Sequence, residues 1–173
     1  MSVEFISKKI TAFRERLETE KSPLEFSFEI SEPWYFKDRK ELRIPYGDQC
    51  GVYIFTAPPD SSDMRAEGMD AKVWYVGKSV PAMGGRIWKH MGPVLDPDSG
   101  EECAPPFKHH RWRDCKVVPD KIRDKLANGN VVIYTIPLET TECSIDVAEM
   151  LEKYLLIEYA LCYQSLPVLN LSF

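Results

Sequence analysis

Nothing approaching roughly 18 consecutive apolar residues occurs in this chain, so no membrane-spanning helix is expected. The opening stretch, MSVEFISKKI, lacks the apolar core of a secretory signal, which points to a cytoplasmic protein. Cysteine is sparse and scattered: Cys50, Cys103, Cys115, Cys143 and Cys162 make an odd count with no CxxC pair. Without an export signal these read as reduced thiols, not a disulfide framework. Positive charge is in deficit, 22 Lys and Arg against 27 Asp and Glu, a formal net charge of −5. That excludes nucleic-acid binding by bulk charge and requires any such partner to meet a local basic face. What the chain does have is 44% apolar and 12% aromatic residues over 173 positions, enough to build the core of one domain.

Apolar residues at Phe5, Ile6, Ile10, Phe13 and Leu17 fall at helical spacing. Leu24–Ile30 alternates apolar and polar residues as a half-buried strand does. The stretch that follows, SEPWYFKDRKELRIPYGDQ, is charged and proline-containing and reads as an irregular connection. Gly51–Thr56 is the first strong strand, and Lys72–Gly77 is the second. The fifteen or so residues between them, rich in Pro, Asp, Ser and Gly, predict an antiparallel hairpin with a long tip. Gly85–Met91 is helical in character, and GPVLDPDSGEECAPP reads as loop. Asn130–Leu138, opened by the turn NGN, is a β-branched strand. Ser144 begins a helix running to about Tyr163, with Asp146 and Glu149 in its early turns. The expected fold is α+β: a small, mainly antiparallel central sheet of about three strands flanked by helices. Residues 1–49 form an N-terminal helix and strand elaboration packed on a main domain at 50–173.

Hydrolysis of a phosphodiester needs a deprotonated water, a neutralised phosphate and a stabilised leaving oxygen. A Mg²⁺ ion can serve the last two, and it accepts a single carboxylate with waters. Arginine matches two phosphate oxygens with its planar fork, and a phenol or imidazole can orient or deprotonate the water. Tyr53, Tyr75, Arg86, His90 and Glu152 supply these types in order along the chain. Arg86 and His90, spaced i, i+4, share a helix face. On a helical wheel, Val147, Leu151, Tyr154, Leu155 and Leu161 make an apolar sector with Glu152 at its edge. Glu149 is turned roughly 60° further toward the polar side. A carboxylate at an apolar border is costly unless something pairs with it, and a metal ion would do so.

Taken singly these are ordinary residues; as an ordered set they resemble the GIY-YIG endonucleases. Gly51-Val52-Tyr53 matches the first signature strand, and Tyr75-Val76-Gly77, followed by Lys78-Ser79, matches the second. Arg86 and His90 match the arginine and histidine of the next helix. LEKYLLI (Leu151–Ile157) is similar to the context of the family's metal-binding glutamate, and LPVLN (Leu166–Asn170) to its closing proline and asparagine. The likeness covers about residues 50–170. Two features depart from the pattern: a longer insertion between the tyrosine strands, and one extra residue before Ile157, which leaves Glu149 open as an alternative to Glu152.

The resemblance implies a metal-dependent endonuclease acting on nucleic acid, with double-stranded DNA as the expected partner, in a restriction, repair or toxin setting. Glu152 would hold one Mg²⁺ or Mn²⁺, and Arg86 would stabilise the transition state. Tyr53 would act as base or orient the water, with Tyr75 beside it and His90 assisting. Gly51, Gly77, Lys78 and Asn170 would support the site. From the residues themselves, the basic stretch at 108–116 offers Lys108, His110, Arg111 and Arg113 to phosphates, with Trp112 to stack on a base. With no separate recognition domain apparent, specificity would come from the first fifty residues, the 57–71 insertion, the 92–116 region or a homodimer. The alternative is a non-catalytic nucleic-acid or protein-binding module that keeps the fold, a reading favoured by the acidic balance.

Overall fold

The computed structural model describes residues 3–19, 29–36, 43–58, 73–92, 94–95, 102–103, 112, 115–138 and 144–171. In chain order the elements are α1 (Val3–Thr19), β1 (Trp34–Tyr35), β2 (Gly51–Thr56), β3 (Val73–Ser79) and α2 (Met83–Met91). They are followed by β4 (Val94–Leu95), β5 (Glu102–Cys103), α3 (Asp120–Ala127), β6 (Val132–Pro137) and α4 (Ser144–Tyr163). The fold is α+β, with an antiparallel sheet in the order β1-β6-β2-β3 and a separate pair, β4-β5. The tyrosine strands do form an antiparallel hairpin, with Tyr53 opposite Gly77 and Phe55 opposite Tyr75.

Strand β2 lies between β6 and β3, and all six of its residues are buried. A strand covered on both faces reads as a continuous apolar run, which is why GVYIFT shows no alternation. On one face Val52, Ile54, Val76 and Ile136 pack under α1 and α4, against Ile6, Ile10, Phe13, Leu151 and Leu155. On the other, Tyr53, Phe55 and Ile133 pack with Met83, Ile87 and Met91 of α2 and Ile122 and Leu126 of α3. Each fully buried side chain of this size contributes roughly 1.5–3 kcal/mol of transfer free energy. Lys9 and Glu158, 2.7 Å apart, pin α1 to α4.

Two tertiary contacts set the geometry around the tyrosines. The first turn of α2 has no side-chain cap at Ala82, so its orphan amides look elsewhere. Met83 N–H donates to Gln49 O at 2.9 Å and Gly84 N–H to Gly47 O at 2.7 Å. The loop before β2 thereby fixes where α2 begins. The second contact covers the exposed edge of β3. Leu169 N–H donates to Trp74 O at 2.8 Å. The Asn170 amide accepts from Val76 N–H at 2.9 Å and donates to Val76 O at 2.7 Å. The C-terminal segment thus occupies edge groups that would otherwise template pairing with another chain.

The sheet has four strands where about three were expected. The extra one, β1, pairs Trp34 and Tyr35 with Ile133 and Val132. At two residues it is too short to show a period, and Pro33 precedes it. Helix α3 was not foreseen, and the β4-β5 pair falls in a stretch read as loop. The turn after α3 was foreseen: Gly129 takes φ 67°, the left-handed conformation glycine adopts freely. Leu161, placed in the apolar sector of α4, is instead exposed, the buried side being Val147, Ala148, Leu151, Leu155, Leu156 and Tyr159. Most of the expected strand at 24–30, the segment 37–42 and most of the insertion after Pro58 lie outside the described residues.

Candidate active site

A cavity of about 590 Å³ opens at the β3 edge, where α2 and α4 approach from opposite faces of the sheet. Tyr75 and Lys78 enter it from β3, Gly85, Arg86 and Lys89 from α2, and Glu152 from α4. Alternation along β3 explains the arrangement. Tyr75 shares a face with Phe55, and Lys78 lies on the opposite face with Val52, so the strand contributes to the cavity from both sides. Three cationic side chains and one carboxylate give the cavity a positive balance inside an acidic protein, as a phosphodiester ligand requires.

Glu149 and Glu152 differ as the wheel placed them. Glu149 is 44% exposed and bonds two ammonium groups, Lys78 at 2.6 Å and Lys153 at 2.8 Å. Hydrogen bonding to Lys153, then to Lys78, holds its carboxyl down at about 2. The Glu152 side chain is only 19% exposed, and Lys78 is 3.9 Å away. Burial pushes its carboxyl up, against a smaller downward pull from Lys78. A half-buried carboxylate on a cavity wall, with its ionised form under-stabilised, suits a divalent cation. No group of three or more His, Cys, Asp or Glu that could hold a metal occurs among the described residues. A cation here would take one carboxylate and complete its shell with water and ligand oxygens, which fits Mg²⁺ better than zinc.

The tyrosines are not equivalent. Tyr75 is half-buried on the cavity wall, whereas Tyr53 is 0% exposed and lies behind it. Burial drives the Tyr53 phenol well above its ordinary value, Tyr75 adds to the rise, and Arg86 opposes it. Burial likewise raises Tyr75, while its bond with Tyr53 lowers it. The Tyr53 hydroxyl is 2.8 Å from His90 Nε2.

Arg86 is exposed at the cavity, but His90, one turn later, is buried. Its ring stacks on Trp112 with centroids 4.8 Å apart and planes at 10°. Trp112 is 1% exposed, donates Nε1–H to Leu169 O at 3.0 Å, and meets Tyr75 edge-on at 4.9 Å. Trp112 is thus not free to stack on a base, and this corrects the sequence expectation. A tryptophan between arginines looks like a nucleic-acid contact, but its large apolar surface is worth more in the core. Lys108, His110, Arg111 and Arg113 lie outside the described residues.

Gly77 sits directly across from Tyr53. A Cβ there would lie 2.5 Å from Tyr75 Cε1 and 2.9 Å from the Tyr53 hydroxyl, so only glycine admits both rings. A Cβ on Gly51 would collide with the Ile136 carbonyl. Asn170, expected as a supporting residue, makes the β3 edge contacts described above.

Lys89 and Gly85 were not singled out from the sequence, although Lys89 follows Arg86 at i+3. A Cβ on Gly85 would have no atom within 4 Å. Glycine in a helix costs about 0.5–1 kcal/mol relative to alanine. Gly85→Ala should therefore raise the melting temperature by about 2–3 °C in a chain of this size. A lower melting temperature in calorimetry would show that the space beside Gly85 is not free.

A scan against protein-family models, a search of curated proteins and a search of solved structures each found no match. Any functional reading therefore rests on the cavity itself. Its contents are a carboxylate open to a cation, a guanidinium, two ammonium groups and a phenol backed by a second phenol and an imidazole.

Proposed function

We propose that this chain is a metal-dependent endonuclease of the GIY-YIG type, hydrolysing phosphodiester bonds in nucleic acid, with double-stranded DNA as substrate. The observation that carries the reading is the meeting of Tyr75, Arg86 and Glu152, from three different elements, in one cavity of positive balance. A packing role accounts for any one of them, but not for a half-buried carboxylate, a guanidinium and a phenol on the walls of one cavity.

In this reading Glu152 holds Mg²⁺ or Mn²⁺, with Tyr75 and Arg86 on the neighbouring walls. The bound ion supplies Lewis-acid neutralisation of the phosphate and of the leaving oxygen. Arg86 lays its fork against the non-bridging oxygens, where negative charge grows in the transition state. Tyr75 orients the attacking water, whose proton passes to solvent in the open cavity, because it is the tyrosine on the cavity wall. Tyr53 bonds the Tyr75 hydroxyl from behind and His90 bonds Tyr53 in turn, so both are positioning residues. Lys78 and Lys89 contact flanking phosphate oxygens, and the bare Cα of Gly85 leaves room for the backbone of the nucleic acid to approach α2.

The test is a supercoiled plasmid incubated with purified protein and Mg²⁺ or Mn²⁺, with chelator as control. Nicked or linear product that chelation abolishes is the expected result. Absence of cutting on DNA and RNA in both metals would sink the enzyme reading, and binding without cutting would point to the non-catalytic module. Gly85→Ala adds a second arm: the more stable variant should cut more slowly, since its methyl group enters the ligand's path.

A further inference from the structure

Lys78 stands between two carboxylates and is held by the one that the cavity does not use. Its ammonium is 2.6 Å from Glu149 and 3.9 Å from Glu152. Glu149 is held in turn by Lys153, at 2.8 Å and one turn further along α4. Two positive and two negative charges are present, yet they are unevenly shared. Glu149 touches both ammonium groups, while Glu152 has the long contact to the Lys78 ammonium and a hydrogen bond from the Lys78 backbone. Coulomb attraction falls with separation, so the short pair dominates the position of the lysine head. The two carboxylates sit three residues apart on neighbouring turns. The flexible four-carbon stem of lysine can therefore reach either with a small change of rotamer.

An ammonium and a divalent cation compete for the same carboxylate, and they repel one another. If Lys78 moved the short distance onto Glu152, a cation would have to displace it before binding. We propose that Glu149 is a positioning residue that holds Lys78 off Glu152 and so keeps that carboxylate open to a divalent cation. The inference rests on the reading of Glu152 as the cation ligand. It also gives a role to the second glutamate: Glu149 sets the affinity of the site through Lys78 and need not touch the metal. Lys153 serves the same end by fixing Glu149 in place.

Mn²⁺ binding, measured by calorimetry and by electron paramagnetic resonance without nucleic acid, tests this in a double-mutant cycle. The proteins are the wild type, Glu149→Gln, Lys78→Met and the double variant, with Glu152→Gln as the control for the site. Glu149→Gln should weaken Mn²⁺ binding by about 5–20-fold, and the double variant should bind within about twofold of Lys78→Met, as expected for residues that act through one another. An equal loss from Glu149→Gln in both backgrounds would mean that Glu149 acts only through its charge, and would overturn the proposal. No loss from Glu149→Gln, with Glu152→Gln still abolishing binding, would overturn it and leave the cation site standing. A wild-type protein that binds no Mn²⁺ would overturn both. Glu149, Lys78 and Glu152 all reach solvent and each substitution keeps the approximate shape, so all five proteins are expected to fold, which circular dichroism checks.

Discussion

Glu152→Gln is expected to reduce cleavage by on the order of a thousandfold or more, because charge stabilisation by a metal supplies several kcal/mol and each 1.36 kcal/mol is tenfold in rate. The same variant should be at least as stable as the wild type. Burial pushes the Glu152 carboxyl above its ordinary value, so its ionised form is disfavoured in the folded state and the neutral amide removes that penalty. The sign of the pH dependence follows. A carboxyl whose folded pKa exceeds its unfolded pKa loses stability as pH rises through that range and regains it as pH falls. The stability difference between Glu152→Gln and the wild type should be largest near neutral pH and shrink as Glu152 protonates. Binding to the nucleic acid should persist, since Lys78, Arg86 and Lys89 remain. Glu149→Ala should be mild at saturating metal. Plasmid cleavage, thermal melts across pH and a gel-shift assay make the comparison. If Glu152→Gln cuts within tenfold of the wild type while Glu149→Ala is dead, the metal ligand is Glu149 instead.

Trp112→Ala should destabilise the fold by about 3–5 kcal/mol, the usual cost of emptying a fully buried aromatic site. For a domain whose whole stability is about 5–15 kcal/mol, that is a large share. The loss has three sources: apolar area, the bond to Leu169 O and the stack on His90. It also reaches the cavity. Trp112 packs edge-on to Tyr75 and face-on to His90, so its removal takes one supporting neighbour from each ring. Trp112→Phe keeps part of the packing and should recover part of the stability. Denaturant titration distinguishes this from the role expected of an exposed base-stacking residue. In that case Trp112→Ala would melt like the wild type and lose only nucleic-acid affinity.

The elements with a strong local pattern were legible in the chain. Strand β2 has the expected bounds, Gly51–Thr56, and α1, β3, β6 and α4 lie where their periodicity put them within a few residues. A continuous apolar run or a 3.6-residue repeat records which face is buried, and burial is what makes those elements form. β1 and α3 escaped for the opposite reason. The first is a two-residue partner for β6. The second is short and largely charged, with only Ile122 and Leu126 buried.

For the candidate site, the sequence by itself determined the residue types and their order: two tyrosines on paired strands, an arginine after them, and a glutamate at the border of an apolar helix face. Helical geometry even separated Glu152 from Glu149. Depth was decided only by the tertiary structure. Tyr53 and Tyr75 occupy similar positions in similar strands, yet β2 is central and β3 is at the edge, so one phenol is sealed and the other meets the cavity. Arg86 and His90 are one turn apart, but the aromatic layer over the sheet takes in one and leaves the other exposed. Trp112 belongs to that layer because Leu169 and His90 come to it from distant parts of the chain. Burial depends on what the rest of the chain brings alongside, and no local pattern of residues records that.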